Sequence, residues 1–248
     1  MEKKQGLLYD KIVLKLTGQI FSTHDSLFNA PRTGRVVDEI KAVLEQGVKI
    51  AIVIGGGNIF RGRDVQMASF EAGSDDREAG DKMGMLGTAI NSLFFKRIMK
   101  KMALKKRILT AIRMDGIAEY YTSERAQDIL EQDSAVVIAC GLGKPYCSTD
   151  YASVVYALDL GAKAVLKGTK VDGLYDKDPK TDKKAKLIPE ISYKKAIGLG
   201  LEKIMDTSAL GLVIDRKENL PIHIFNIFEK GNLLRLLSGE KIGSKIVP

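Results

Sequence analysis

Tryptophan is absent, histidine occurs twice and cysteine twice. Cys140 and Cys147 are too few for a disulfide framework and lack metal-site spacing, so a reduced, cytoplasmic protein is expected. His24 and His223 both stand outside the glycine turns, and no Ser–His or Cys–His nucleophile arrangement is visible. No apolar run approaches the roughly 20 residues a membrane span needs. Residues 1–10 lack the apolar core of a secretory signal, and none is expected. The common phosphate motifs are also missing. Gly143-Lys144 runs into Pro145, so there is no G-x-x-x-x-G-K-[ST], and no G-x-G-x-x-G follows any strand. Their absence argues against a P-loop kinase and a Rossmann dehydrogenase.

What remains is ordinary globular composition. The 248 residues are 45% hydrophobic and 28% charged, enough for one large α/β domain or two packed lobes. A formal charge of +8 favours anionic partners, nucleotides among them. The densest basic segment, residues 96–107, is interrupted by Ile98, Met99, Met102 and Leu104. It reads as the end of an amphipathic helix, with cations at the negative end of the helix dipole. It lacks the interleaved aromatics that single-strand binding favours, so nucleic acid is not an expected partner.

Short apolar strands alternate with helical stripes. Strands are expected at 11–16, 50–54, 107–112, 135–140, 164–167, 222–225 and 245–247. Helices are expected at 35–46, from Asp81 onward, and at 123–132, 150–160, 193–199, 206–217 and 233–237. Residues 23–34 read as a loop, and 63–80 as a polar lid-like loop, with Asp81 capping the helix after it. Recurring βα units predict the fold class, α/β: an open, mostly parallel sheet sandwiched between helices.

Four expected strand ends carry glycine and polar groups. The first is Lys15-Leu16-Thr17-Gly18. The second is Gly55-Gly56-Gly57-Asn58, with Arg61 close behind. The third is Gly141-Leu142-Gly143, leading to Thr149-Asp150, and the fourth is Lys167-Gly168-Thr169. Glycines let backbone amides approach a ligand closely, and ligands of open α/β sheets bind at the carboxyl ends of strands. Four such ends at one edge describe a phosphate site.

These blocks, with Gly80-Asp81-Lys82-Met83-Gly84-Met85 and residues 167–179, closely resemble the bacterial UMP kinases of the amino-acid kinase family, and the likeness covers nearly the whole chain in order. The resemblance implies one amino-acid kinase domain over 1–248, with an acceptor-binding, oligomerising half at about 1–160 and an ATP-binding half at about 161–248. It implies phosphoryl transfer from ATP to UMP with Mg²⁺, no protein metal site, and a homohexamer. Lys15, Arg61, Asp150 and Lys167 would be catalytic, Asp150 orienting the lysine. ATP would meet Lys15, Leu16, Thr17, Gly18, Gly57, Arg61, Thr169, Tyr175 and Asp178. UMP would meet Gly56, Asp81 and the loop Leu142, Gly143, Lys144, Pro145, Tyr146, Cys147, Ser148 and Thr149, with Asp81 on the ribose.

The chain departs from its relatives at several positions. Thr17 and Gln19 replace the usual Ser and Glu, and residues 22–28 lack a glycine-rich segment associated with GTP activation. Leu142 and Lys144 replace a hydroxyl and an amide in the acceptor loop. Two rival readings follow from the residues. One is a same-fold kinase with a carboxylate or carbamate acceptor, which the anionic Asp81 disfavours. The other is a nucleotide-binding regulator without turnover.

Overall fold

The computed structural model describes residues 6–60, 74–104, 106–177, 179, 181–199 and 205–248. Two of the candidate site residues, Arg61 and Asp178, lie outside the described residues, as does the 63–73 part of the expected lid.

Nine strands form one sheet. They are β1 (Lys11–Leu16), β2 (Lys49–Ile54), β3 (Arg107–Thr110), β4 (Glu119–Tyr120), β5 (Ala135–Ala139), β6 (Ala164–Thr169), β9 (Glu190–Ser192), β10 (Ile222–Asn226) and β11 (Ser244–Val247); β7 (Leu174–Tyr175) and β8 (Leu187–Ile188) form a separate hairpin. The spatial order is β4-β3-β5-β2-β1-β6-β10-β11-β9, parallel throughout except for the antiparallel β10–β11 pair. The helices are α1 (Ala30–Leu44), α2 (Ser74–Lys101), α3 (Ser123–Asp133), α4 (Thr149–Leu160), α5 (Tyr193–Gly198), α6 (Thr207–Arg216) and α7 (Asn232–Leu237).

The period-2 geometry of strands sorts the core into two layers. Ile12, Leu14, Leu16, Ile50 and Ile52 face α1, α2 and α7, where Val36, Ile40, Phe95 and Leu233 meet them. Val13, Ala51, Val53, Val136 and Val165 face the other way, onto Ile129, Val154, Ala157 and Leu210 of α3, α4 and α6. Central strands buried on both faces explain the unbroken apolar runs that mark them in the sequence. Each of these larger side chains contributes about 1.5–3 kcal/mol by leaving water.

Strand β1 is the hinge of the topology. The chain builds β2, β3, β4 and β5 on one side of it, then crosses over to lay β6 and β10 on the other. The carboxyl ends of β1 and β6 are therefore the switch point where a crevice opens.

Three local expectations need correction. Helix α1 starts at Ala30, not at residue 35. Asn29 caps it by accepting from the Arg32 amide at 2.9 Å, and Pro31 falls in the first turn, where its missing N–H costs nothing. Residues 74–80 are helical rather than loop, so Asp81 lies inside α2 and does not cap it. The short strands β4, β7, β8 and β9 escape sequence reading because two or three residues carry no period.

Candidate active site

Register and alternation bring two lysines together. β1 and β6 pair in parallel with Lys15 directly opposite Lys167. Both side chains share the face of Val13 and Val165, which looks towards α4. Each lysine is only 8% exposed. Two buried ammonium groups on adjacent strands repel, and the first turn of α4 supplies the answer. Ser148 caps that helix, accepting from the Tyr151 amide at 3.1 Å, and this places Asp150 in the first turn.

The Asp150 carboxylate lies between the two cations. Oδ2 is 2.5 Å from Lys167 Nζ, and Oδ1 is 2.9 Å from Lys15 Nζ. Oδ1 therefore meets Lys15 as an ion pair, and among the described residues no further donor reaches it. Burial alone would push the Asp150 carboxyl up, but Lys15 and Lys167 outweigh it and hold the group well below the usual carboxylate range. Burial pulls Lys167 down to about 8, with Asp150 opposing and Lys15 assisting that fall.

Glycines set the backbone beside this trio. A Cβ on Gly18 would lie 2.4 Å from Asn58 Oδ1 and 2.8 Å from the Gly55 carbonyl, so the turns after β1 and β2 touch backbone to backbone. A Cβ on Gly56 would lie 2.5 Å from the Gly84 carbonyl, so α2 packs directly on the glycine triplet. Asn91 of α2 secures that contact. Its Nδ2 donates to the Gly55 carbonyl at 2.8 Å and to Asn58 Oδ1 at 2.7 Å, and Asn58 Nδ2 returns a bond to Asn91 Oδ1 at 3.1 Å. Thr88, one turn earlier, accepts from the Cys140 amide at 2.6 Å, tying α2 to the end of β5.

Neither Asn91 nor Thr88 was singled out from sequence. Their signal was available: with Ser92, they are polar residues on the stripe of α2 that also buries Met85, Ala89 and Phe95. A buried polar cluster on a helix must be hydrogen-bonded to something specific.

Two cavities flank the glycine turn. The smaller, about 140 Å³, is lined by Gly56, Asp81, Thr88, Cys147 and Thr149, among others. The larger, about 650 Å³, is lined by Gln19, Ser22, Thr23, His24, Arg32, Asn58 and Lys170. Gly57 and Phe60 line both. Of the expected acceptor loop, Cys147 and Thr149 reach the small cavity. Leu142 instead packs against the α4 layer of the core, and Lys144 and Tyr146 are exposed. The Tyr146 amide donates to Asp81 Oδ2 at 2.7 Å, which fixes the loop to α2. Ser148 donates to Asp206, the cap of α6. Gly143 lies against Ala111 at the end of β3, and Pro145 is half-buried in the same loop.

On the other side, Thr169 ends β6 and spends its hydroxyl on the Val171 turn and the Phe225 carbonyl. Tyr175 stands on the β7–β8 hairpin, its hydroxyl 3.3 Å from Asp172. Leu16 is fully buried at the end of β1, and Thr17 leads from it into the turn at Gly18. Among the described residues, then, Lys15, Asp150 and Lys167 meet at one point. Gly56, Asp81, Cys147 and Thr149 meet at a second, and Gly57 joins the two cavities.

Comparison with known proteins agrees with this geometry. The model of the amino acid kinase family matches residues 10–226. The uridylate kinase of Porphyromonas gingivalis is 39% identical over 239 residues, covering 96% of this chain and 97% of that one. The uridylate kinase of Bartonella bacilliformis is 40% identical over 235 residues, covering 94% and 95%. Among solved structures, UMP kinase from Bacillus anthracis superposes with a TM-score of 0.88 at 34% identity, covering 96% of each chain. UMP kinase from Ureaplasma parvum gives 0.86 at 25% identity over 100% of both. The sheet order, the lysine–aspartate–lysine trio at its switch point and these likenesses agree: the chain belongs to the amino acid kinase family.

Proposed function

We propose that this chain transfers the γ-phosphoryl group of ATP to UMP, giving ADP and UDP. The observation that carries the reading is the Lys15–Asp150–Lys167 trio at the switch point, beside two cavities that share Gly57 and Phe60. A donor on one side and an acceptor on the other would face each other in line across that shared wall.

The chemistry asks little of the protein beyond placement and charge. An oxygen of the UMP phosphate attacks the γ-phosphorus, and the bond to the β,γ-bridging oxygen of ATP breaks, leaving ADP. The attacking oxygen is already anionic, so no general base is required. Lys15 and Lys167 offset the negative charge that builds on the transferring group, and Asp150 holds both ammonium groups on target. Gly57 offers its backbone to the phosphates, with Leu16, Thr17 and Gly18 on the donor side and Arg61 as a further cation. Thr169 and Tyr175 would meet the donor's ribose and adenine, and the family resemblance adds Asp178 to that set. Gly56, Asp81, Cys147 and Thr149 would line the acceptor side, with Asp81 suited to a ribose diol.

Mg²⁺ would arrive with ATP and would supply positive charge against its phosphates. The residues present fit it: Asp150 is a buried carboxylate beside the expected phosphates, and its charge would suit a nearby cation. In this reading residues 1–160 hold the acceptor and residues 161–248 hold ATP. Met83, Leu86, Ile90 and Leu93 form an exposed apolar stripe along α2. Such a stripe suits a second copy of the chain, and we take it as a contact of a homohexamer. Two free thiols fit a reducing cytoplasm. Among the described residues no helix is long and apolar enough to cross a membrane.

The test is an ADP-release assay with Mg·ATP and UMP, CMP, dTMP, aspartate, N-acetylglutamate or carbamate as acceptor. Turnover on UMP that disappears in Lys15→Ala is the expected result. Turnover on a carboxylate or carbamate alone would replace UMP with that acceptor. Silence on every acceptor with ATP still bound would overturn the kinase reading.

A further inference from the structure

The larger cavity is built almost entirely from groups that the proposed reaction does not use. It opens between the turn after β1, the first turn of α1, the glycine turn and the end of β6. Arg32 and Lys170 stand in its walls, and no Asp or Glu is among its described lining residues. His24, also in the lining, is paired at 2.9 Å with exposed Asp25.

Arg32 is held in an unusual way. Its guanidinium carbon lies 3.8 Å from the centroid of the Phe228 ring, just beyond β10. Stacking on an aromatic face fixes the plane of a guanidinium and leaves its edge free to meet an anion. Among the described residues the buried Arg32 Nε has no hydrogen-bond partner. A buried charged donor without an acceptor is costly, and the cost falls when an anion arrives. Burial, with Arg35 nearby, also weakens the hold of Arg32 on its proton. A second cation beside it makes the cavity wall more receptive to negative charge still.

We propose that Arg32, stacked on Phe228, is a further binding residue for the phosphates of the donor nucleotide, which the kinase reading places beside this cavity. At about 650 Å³ the space exceeds the needs of one phosphate group. Its cations come from two walls, α1 and the end of β6, as a chain of phosphates would require. The cavity also shares Gly57 with the acceptor side, so a triphosphate lying in it ends at the transfer point. This assignment rests on the kinase reading and adds to it a donor contact on α1, an element otherwise devoted to the core.

Isothermal titration of the full chain tests it with four probes: Mg·ATP, inorganic tripolyphosphate, AMP and UMP. In Arg32→Gln, binding of Mg·ATP and tripolyphosphate should weaken about tenfold or more, as loss of a charge-assisted contact implies. AMP and UMP should stay within twofold. Arg32→Lys should recover only part of the loss, because an ammonium neither stacks nor presents a planar fork. If Arg32→Gln fails to fold, Phe228→Leu keeps the cation, removes the stack and should weaken the same two probes. Mg·ATP and tripolyphosphate binding within twofold of the parent would overturn the proposal, as would equal losses for UMP and ATP. A parent that binds neither ATP nor UMP would overturn the kinase reading itself, a separate outcome.

Discussion

Replacing Asp150 with Asn keeps the shape of the side chain and removes the one charge shared by Lys15 and Lys167. Removing one partner of a buried ion pair costs about 3–5 kcal/mol, because the other charge stays buried and unpaired. Here two cations lose their partner, yet the site has an escape. Lys167 is pulled down to about 8 even with Asp150 raising it, so without Asp150 it sheds its proton still more readily. The variant should take that route, which places its destabilisation near the lower figure, about 3 kcal/mol. For a chain of this size that lowers the melting temperature by about 6–12 °C. Mg·ATP should narrow the gap, since its phosphates restore the missing negative charge. Activity at pH 7.5 should fall by about 10²–10³, the usual loss when transition-state charge stabilisation is misdirected. The alkaline limb of kcat/KM should move to lower pH, because Asp150 is what raises Lys167. Differential scanning fluorimetry with and without nucleotide, beside a pH–rate profile, reads all of this. An Asp150→Asn protein that melts within 1 °C of the parent and keeps its alkaline limb would refute the reasoning.

Three further outcomes follow from single groups. In the parent, kcat/KM should decline above about pH 8 as Lys167 loses its proton. Stability should rise from about pH 8 to 10.5, because the unfolded chain holds the extra proton there; matched rate and unfolding titrations check both signs. Cys140 is buried, with its thiol pushed up to about 11, whereas half-buried Cys147 lines the small cavity. A maleimide should therefore label Cys147 first, and UMP should slow that labelling, as peptide mapping would reveal. His223 is buried against Tyr9, with Oη–Nε2 at 3.0 Å, and burial and Lys245 hold it down at about 4. The unfolded chain binds the extra proton between pH 6.5 and 4, so about 3 kcal/mol of stability should drain away as pH falls through that window. His223→Gln should flatten that slope in urea titrations.

The frame of the fold was readable because its central strands are buried on both faces. β1, β2, β5 and β6 announce themselves as short β-branched runs, each stopped by glycine or a polar group. Helices with a clean stripe and a cap, such as α3 with Thr122 and α4 with Ser148, were found to within a residue or two. Short elements at the periphery were not, since a two-residue strand exists only through its partner. The 74–80 segment was misjudged for another reason. Its charged composition resembles a loop, yet it continues a helix whose buried face begins only later, so local polarity said nothing about its backbone. The lysine–aspartate trio was partly legible: each residue stood at a strand or helix end, but only strand register makes Lys15 and Lys167 neighbours. Arg32 gave no signal at all, because its significance depends on Phe228, which is distant in sequence.

The trio also ties stability to the proposed catalysis in this chain. Parallel pairing of β1 with β6 forces Lys15 and Lys167 onto one face, and no choice of rotamer moves either backbone position. Without a counter-charge, that register would be a defect in the centre of the sheet. Asp150 removes the defect only because Ser148 starts α4 two residues earlier, so a helix cap decides where the carboxylate lies. The same carboxylate meets Lys15 at Oδ1 as an ion pair, and burial leaves Lys167 with a weakened hold on its proton. The trio is thus satisfied enough to fold, with one anion balancing two cations. In the proposed reaction an incoming triphosphate would bring further negative charge to the two lysines that Asp150 alone now balances. A site whose polar groups were fully paired among themselves would gain nothing from the ligand.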